Sequence, residues 1–312
     1  MTFLQIVFIY YSKVYRNVKA HFLCRPSVPL RFPAGLGIIH GKIILMKRGI
    51  VMFSQEERCL YRKNQLGEVI CQLRFPEILM IADSSPAAFQ EQIRQDYPLY
   101  TKNLESPAPK LTGQPGQLSL ENQPKIINHQ FLSEDGMWRV NLTSRYISLS
   151  CRRYPSWEEF AQRLDQPLAA FIKIYRPAFF ERIGLRYLNF FSRRALSLTD
   201  IPLRELFSPL YLGPLADEEL AEQATTRCSV DSEFAIRHGC RIRIHSGPGL
   251  VRQGPKPDPE VKFILDLDLY MPGKIPVNFS AGAMQTLHLQ AFSIFRDAIT
   301  DTLHEALEPV EL

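Results

Sequence analysis

Three segments of the chain alternate polar and apolar residues with a period of two, and nothing else in the sequence constrains its fold as tightly. In residues 68–75, Val69, Cys71, Leu73 and Phe75 share one side, and Glu68, Gln72 and Arg74 the other. In 181–191, Ile183, Leu185, Tyr187 and Asn189 oppose Arg182, Gly184 and Arg186. In 263–270, Leu265, Leu267 and Leu269 oppose Asp266, Asp268 and Tyr270. Successive side chains of a strand point to opposite faces, so this period marks strands with one buried side. Further strands are expected at 129–132, 138–142, 146–151, 225–234 and 240–245, with a turn at Glu134, Asp135 and Gly136 joining the first two.

Elsewhere the period becomes helical. Ser85 and Pro86 read as a helix start, with Phe89, Ile93 and Tyr97 on one face and Pro98 as the stop. Ser156 and Glu159 form a capping box ahead of the stripe Phe160, Leu164, Leu168, Phe171, Ile172 and Tyr175. Pro167 is expected to kink or split that helix, because it lacks an N–H. Residues 283–307 read as one amphipathic helix of about 40 Å, with Met284, Leu287, Phe292, Phe295, Ile299, Leu303 and Leu307 along one side. Residues 103–125, with Pro107, Pro109, Pro115 and Pro124, read as loop, and 195–224 as a helical or irregular insertion. The expected class is α+β: a largely antiparallel, curved sheet packed against three main helices, with a long C-terminal helix.

Composition narrows the rest. With 46% hydrophobic and 22% charged residues, the chain is ordinary globular material. No apolar run reaches the roughly 18 residues of a membrane-spanning helix. The net charge of +5 is unevenly spread. Residues 1–51 carry eight Lys or Arg and no acid; residues 52–312 hold 29 basic and 32 acidic residues. The expected organisation is therefore a basic leader, 1–51, outside the native fold, followed by one domain over 52–312. Without the leader there is no global basicity, so nucleic acid is an unfavoured partner. The six cysteines form no CxxC pair, which argues against a structural zinc site and for reduced thiols in the cytoplasm.

The aligned polar sides offer the candidate site. If the three alternating strands are neighbours, Glu68, Arg74, Arg182, Arg186, Asp266 and Asp268 line one surface. Arginines grip phosphate oxygens bidentately, and carboxylates suit hard cations such as Mg²⁺. The same row of residues is also what a solvated face laced with cross-strand ion pairs looks like, each pair worth about 0.2–1 kcal/mol. No nucleophile elbow, phosphate-binding loop or His-Glu-x-x-His occurs. His288 and His304 lie sixteen residues apart on the last helix, too far to share a metal by themselves.

The ordered set formed by 68–75, the Tyr154–Phe160 helix entrance, Glu181–Asn189, Leu265–Asp268 and the final helix resembles a sporadically distributed bacterial and archaeal family. Its members have no established function and run to about 250 residues, the upper end of single-domain length. The resemblance covers 66–307. It implies a native start near the first strand and assigns no catalytic residues; its sporadic occurrence implies a defence or mobile-element setting. The functional expectation is a cytoplasmic, non-enzymatic interaction or ligand-sensing protein, with no cofactor and with a protein or a small anionic ligand as partner. The alternative is a metal-dependent phosphate- or nucleotide-handling enzyme, using Mg²⁺ on the Arg/Asp-lined face.

Overall fold

The structure, a computed structural model, describes residues 58–106, 110–114, 117–121, 123–251 and 258–311; the basic leader lies outside them. In chain order the strands are β1 (Cys59–Tyr61), β2 (Leu66–Arg74), β3 (Leu99–Glu105), β4 (Lys110–Gln114), β5 (Gln117–Glu121), β6 (Ile126–Leu132), β7 (Trp138–Leu142), β8 (Tyr146–Cys151), β9 (Phe180–Phe191), β10 (Val230–Ala235), β11 (Arg241–Leu250), β12 (Val261–Ile275) and β13 (Pro309–Glu311). The helices are α1 (Leu79–Asp83), α2 (Ala87–Ile93), α3 (Trp157–Tyr175), α4 (Pro209–Leu212), α5 (Ser280–Ala298) and α6 (Asp301–Ala306). Nine strands form one antiparallel sheet in the order β10-β11-β12-β9-β2-β8-β7-β6-β3, and its ends do not close on each other. Two small pairs, β1 with β13 and β4 with β5, stand beside it.

The three alternating segments are neighbours, and their parities align. Leu267 faces Tyr187 across β12 and β9, and Leu185 faces Cys71 across β9 and β2. The apolar side of these strands carries the core, with Val69, Cys71, Leu73, Ile183, Leu185, Leu265, Leu267 and Leu269 fully buried. Helix α5 packs on β9 and β12, α3 on β8, and α2 on α3. Cys71 and Cys151 are buried here, and burial pushes their thiols up to about 12 and about 11. All five described cysteines are free.

The capping box forms as the sequence implies. The Glu159 amide donates to Ser156 Oγ at the start of α3. The expected split at Pro167 does not occur, and α3 runs unbroken for 19 residues. Proline removes the amide that would have bonded the Arg163 carbonyl. The Tyr97 hydroxyl, arriving from beyond α2, donates to that oxygen at 3.1 Å. A tertiary contact therefore supplies the bond the sequence deletes.

Two other expectations are corrected. Residues 103–125 are not simply loop: β3 runs to Glu105, and β4 and β5 pair as a hairpin between β3 and β6. Pro124 lies between β5 and β6, where a missing donor removes no ladder bond; Pro107, Pro109 and Pro115 lie outside the described residues. The C-terminal helix is long but ends at Ala298, and α6 begins after a two-residue break. Ile299 pairs with Phe207 of the 195–224 insertion, and the Thr300 side chain caps α6 by accepting from the Leu303 amide. Ile299, Leu303 and Leu307 are buried as the stripe implied. Among the described residues, no helix is long and apolar enough to cross a membrane.

Candidate functional site

The sheet face opposite the core gathers all six residues singled out by parity. Arg186 stands directly across from Asp268, Pro272 across from Arg182, and Ile70 across from Arg186. The pairs that form are diagonal. Arg186 donates to both Asp266 oxygens, at 2.7 Å through Nε, and Arg182 donates to both Asp268 oxygens at 2.7 and 2.8 Å. Arg182 reaches Asp268 by lying across Gly184, where a Cβ would stand 2.3 Å from its guanidinium. It also covers the Tyr270 ring at 4.5 Å. The hydrogen bonds to Asp266 hold the Arg186 guanidinium still more firmly protonated.

Glu68 accepts from Arg139 at 3.2 Å. It shares a cross-strand row with Leu188 and Asp266, which two strand spacings place about 10 Å from the latter. Arg74 is exposed at the end of β2, opposite Arg182, beside a hollow shared with Glu77, Arg145 and Glu181. The polar row continues across the sheet. The Gln130 amide donates to Asn141 Oδ1, Asn141 donates to Ser148, and Tyr146 donates to Glu105. The face is thus assembled as predicted, but Glu68, Asp266 and Asp268 are each held by an arginine. Among the described residues, no group of three or more His, Cys, Asp or Glu side chains is placed to hold a metal ion.

A second site lies on the core side, and the parity argument did not point to it. Between α5, β9, the entrance of α3 and the β1 strand is a cavity of about 130 Å³. Its walls include Tyr61, Trp157, Phe292, Phe295 and Leu267, with Arg58, Tyr154, Tyr187, Asn189 and His288 as the polar lining. A bulge at Gly67 builds one wall. Leu66 pairs with Asn189 but Glu68 pairs with Leu188, so the parity of β2 flips there and Leu66 turns to the cavity side. Only glycine fits the bulge, because a Cβ would meet the Phe190 ring at 2.2 Å.

His288 is the hub of the polar lining. Its ring stacks on Trp157 at 4.5 Å, nearly parallel, while the Trp157 indole donates to Gln285 at 2.6 Å. Arg58 donates to His288 Nε2 at 2.8 Å and to Glu158 at 2.6 Å. Tyr187 Oη lies 2.8 Å from His288 Nδ1. Burial, then the Arg58 charge, lowers the imidazole to about 4.

The native imidazole stays neutral where the unfolded one, at its ordinary 6.5, takes a proton. Its contribution to stability is complete above about 6.5 and declines as pH falls toward about 4. Urea midpoints measured from pH 7.5 to 4.5 therefore fall through this window. In His288→Gln the fall is shallower, and an unchanged slope would assign it to other groups.

Sequence signals for this cavity existed. Tyr187 and Asn189 are polar-capable residues on the apolar side of β9, and His288 sits on the apolar stripe of α5 beside Leu287. Arg58 and Glu158 carried no such mark, because nothing local tells which surface charge will reach a buried ring. No protein-family model matches the chain, and no curated protein matches it.

Proposed function

We propose that this protein is a non-enzymatic, ligand-sensing protein that takes a small, mostly apolar molecule into the cavity beside His288. The observation that carries this reading is the cavity itself: concave, walled by aromatic rings, with a few convergent polar groups, the usual anatomy of a small-molecule site. Its size is close to the engineered cavity of about 150 Å³ that accepts benzene, so one ring is the scale of the ligand. The titratable groups around it bond each other, which supports binding over chemistry: His288 Nε2, the atom a general base would use, is engaged by Arg58.

The competing reading, a phosphate- or nucleotide-handling enzyme with Mg²⁺, needs carboxylate oxygens turned toward an ion. On this face they accept from guanidinium groups instead. The expected curvature of the sheet is supported by the burial of Asp266, Asn128 and Asn141 on the side away from the helices. The family resemblance over 66–307 belongs to the proposal and supplies it with no residue roles.

A thermal-shift panel on the full chain tests the reading. A single-ring compound at 100 times its Kd adds about 2.7 kcal/mol, which raises the midpoint by about 5–10 °C. Ala291→Leu, which fills the cavity from α5, abolishes that shift. If no ring compound shifts the protein but Mg²⁺ with tripolyphosphate does, and Arg186→Ala removes the effect, the sheet-face reading replaces this one.

A further inference from the structure

The polar lining of the cavity has a direction, and the direction specifies part of the ligand. Arg58 can only donate, since a guanidinium has no acceptor and does not lose its proton. His288 Nε2 must therefore be the accepting nitrogen, and the imidazole proton sits on Nδ1. Nδ1–H donates to the Tyr187 hydroxyl oxygen at 2.8 Å. The Tyr187 hydroxyl proton is left to the neighbouring Tyr154, whose ring meets the Tyr187 ring edge-on at 5.8 Å. At the end of the row, the Tyr154 hydroxyl is buried, lines the cavity and, among the described residues, has no hydrogen-bond partner. Every proton in the row points away from Arg58, and the last meets no acceptor among the described residues. A buried, unsatisfied hydroxyl is costly, and this one borders the cavity, where a ligand can reach it.

The charge balance sets a second condition. Arg58 is already neutralised by Glu158, and His288 is uncharged. A carboxylate entering this apolar space would find no unmatched cation and would lose its hydration. A neutral carbonyl oxygen suits the Tyr154 donor without that cost.

We propose that the cavity selects a small planar ring bearing one neutral carbonyl acceptor, which receives the Tyr154 hydroxyl proton while the ring packs among Trp157, Phe292 and Phe295. This rests on the ligand-sensing reading above and names the ligand class it lacks. The assignment also departs from the small anionic ligand expected from the sequence.

Three probes of nearly one shape separate the conditions: acetophenone has the acceptor, ethylbenzene lacks it, and benzoate carries it charged. Dissociation constants on the full chain are expected to be about tenfold lower for acetophenone than for ethylbenzene, the scale of one net hydrogen bond. Benzoate is expected to bind more weakly than either. Tyr154→Phe removes only the donor, so it abolishes the preference for acetophenone while leaving ethylbenzene affinity in place. Tyr61→Phe, which deletes a hydroxyl of the same wall bonded to His304 instead, keeps the preference and controls for loosened packing.

Equal binding of acetophenone and ethylbenzene, or a preference that survives Tyr154→Phe, overturns the acceptor assignment while the cavity reading stands. Benzoate binding more tightly than acetophenone overturns the neutral-ligand condition. Failure of all three probes to bind overturns the cavity reading together with it.

Discussion

Arg186→Leu is expected to lower the thermal midpoint by about 6–12 °C, and the double variant Arg186→Leu with Asp266→Leu to recover most of the loss. Asp266 is only 7% exposed, and Arg186 is the guanidinium that meets both of its oxygens. Removing one partner of a buried pair leaves an uncompensated charge, at about 3–5 kcal/mol. The lower end applies, because the Arg186 side chain keeps 36% of its surface in water. About 3 kcal/mol corresponds to the stated shift for a domain of this size. The charges of Asp268 and Glu68 also act on Arg186, so its loss weakens the balance of a whole acidic row. Replacing both members by leucine removes the unpaired charge as well as the pair, which is why stability returns. A double-mutant cycle reads the coupling directly. A loss below about 1 kcal/mol, the value of an exposed pair, would show that the guanidinium is not tied to the sheet and is free to grip an anion.

Phe207→Ala is expected to cost still more, about 3–5 kcal/mol for a fully buried aromatic ring. Phe207 is 1% exposed; its ring stacks on Phe263 at 4.0 Å and meets Phe191 edge-on at 5.1 Å. It is also the residue through which the 195–224 insertion reaches the end of α5. The Ser208 amide donates to the Ala298 carbonyl at 2.9 Å, and the Thr300 amide to the Leu206 carbonyl at 3.0 Å. The last turn of a helix leaves its carbonyls without partners, and the insertion supplies two, the Ser208 amide to Ala298 and the Ser208 hydroxyl to Asp297. Losing the ring therefore loosens this junction as well as opening a cavity. Hydrogen exchange is expected to quicken at the Ser208 and Thr300 amides before it changes in β9 or β12. Uniform quickening across the sheet would mean that the insertion is not a separately stabilised unit.

The break after Ala298 shows where sequence reasoning stops. The stripe through Ile299, Leu303 and Leu307 correctly marks buried residues, because burial depends on hydrophobicity and spacing alone. Continuity depends on competition for backbone bonds. At Ile299 the competitor is Phe207, about ninety positions earlier in the chain, and no local pattern records it. Pro167 fails in the opposite direction. Its local effect is to delete a bond, and Tyr97 restores that bond from outside the helix. In 103–125 the alternation Gln117, Leu118, Ser119, Leu120 and Glu121 is a strand period, but it lasts only five residues, too few to stand out among the prolines.

The two sites divide along the same line. The Arg/Asp face is legible because strand parity is a local, two-residue rule, and six residues obeying it had to share a face once their strands became neighbours. That Arg186 would choose Asp266 and not the directly opposed Asp268, and that each carboxylate would be held by an arginine, depends on side-chain reach across the sheet. The cavity depends on tertiary structure throughout. Arg58 and His288 are 230 positions apart, and Tyr154, Tyr187 and His288 come from the α3 entrance, a strand and a helix.

By itself the sequence determined the fold class, most of the buried stripe of each main element, the capped start of α3 and the membership of the polar face, because each follows from short-range periodicity and capping chemistry. Only the tertiary structure decided where the last helix ends, which charges pair, and that a cavity with a one-way row of hydrogen bonds stands behind His288. Those outcomes are set by which distant groups can meet at bonding distance, and chain-local chemistry carries no measure of that distance.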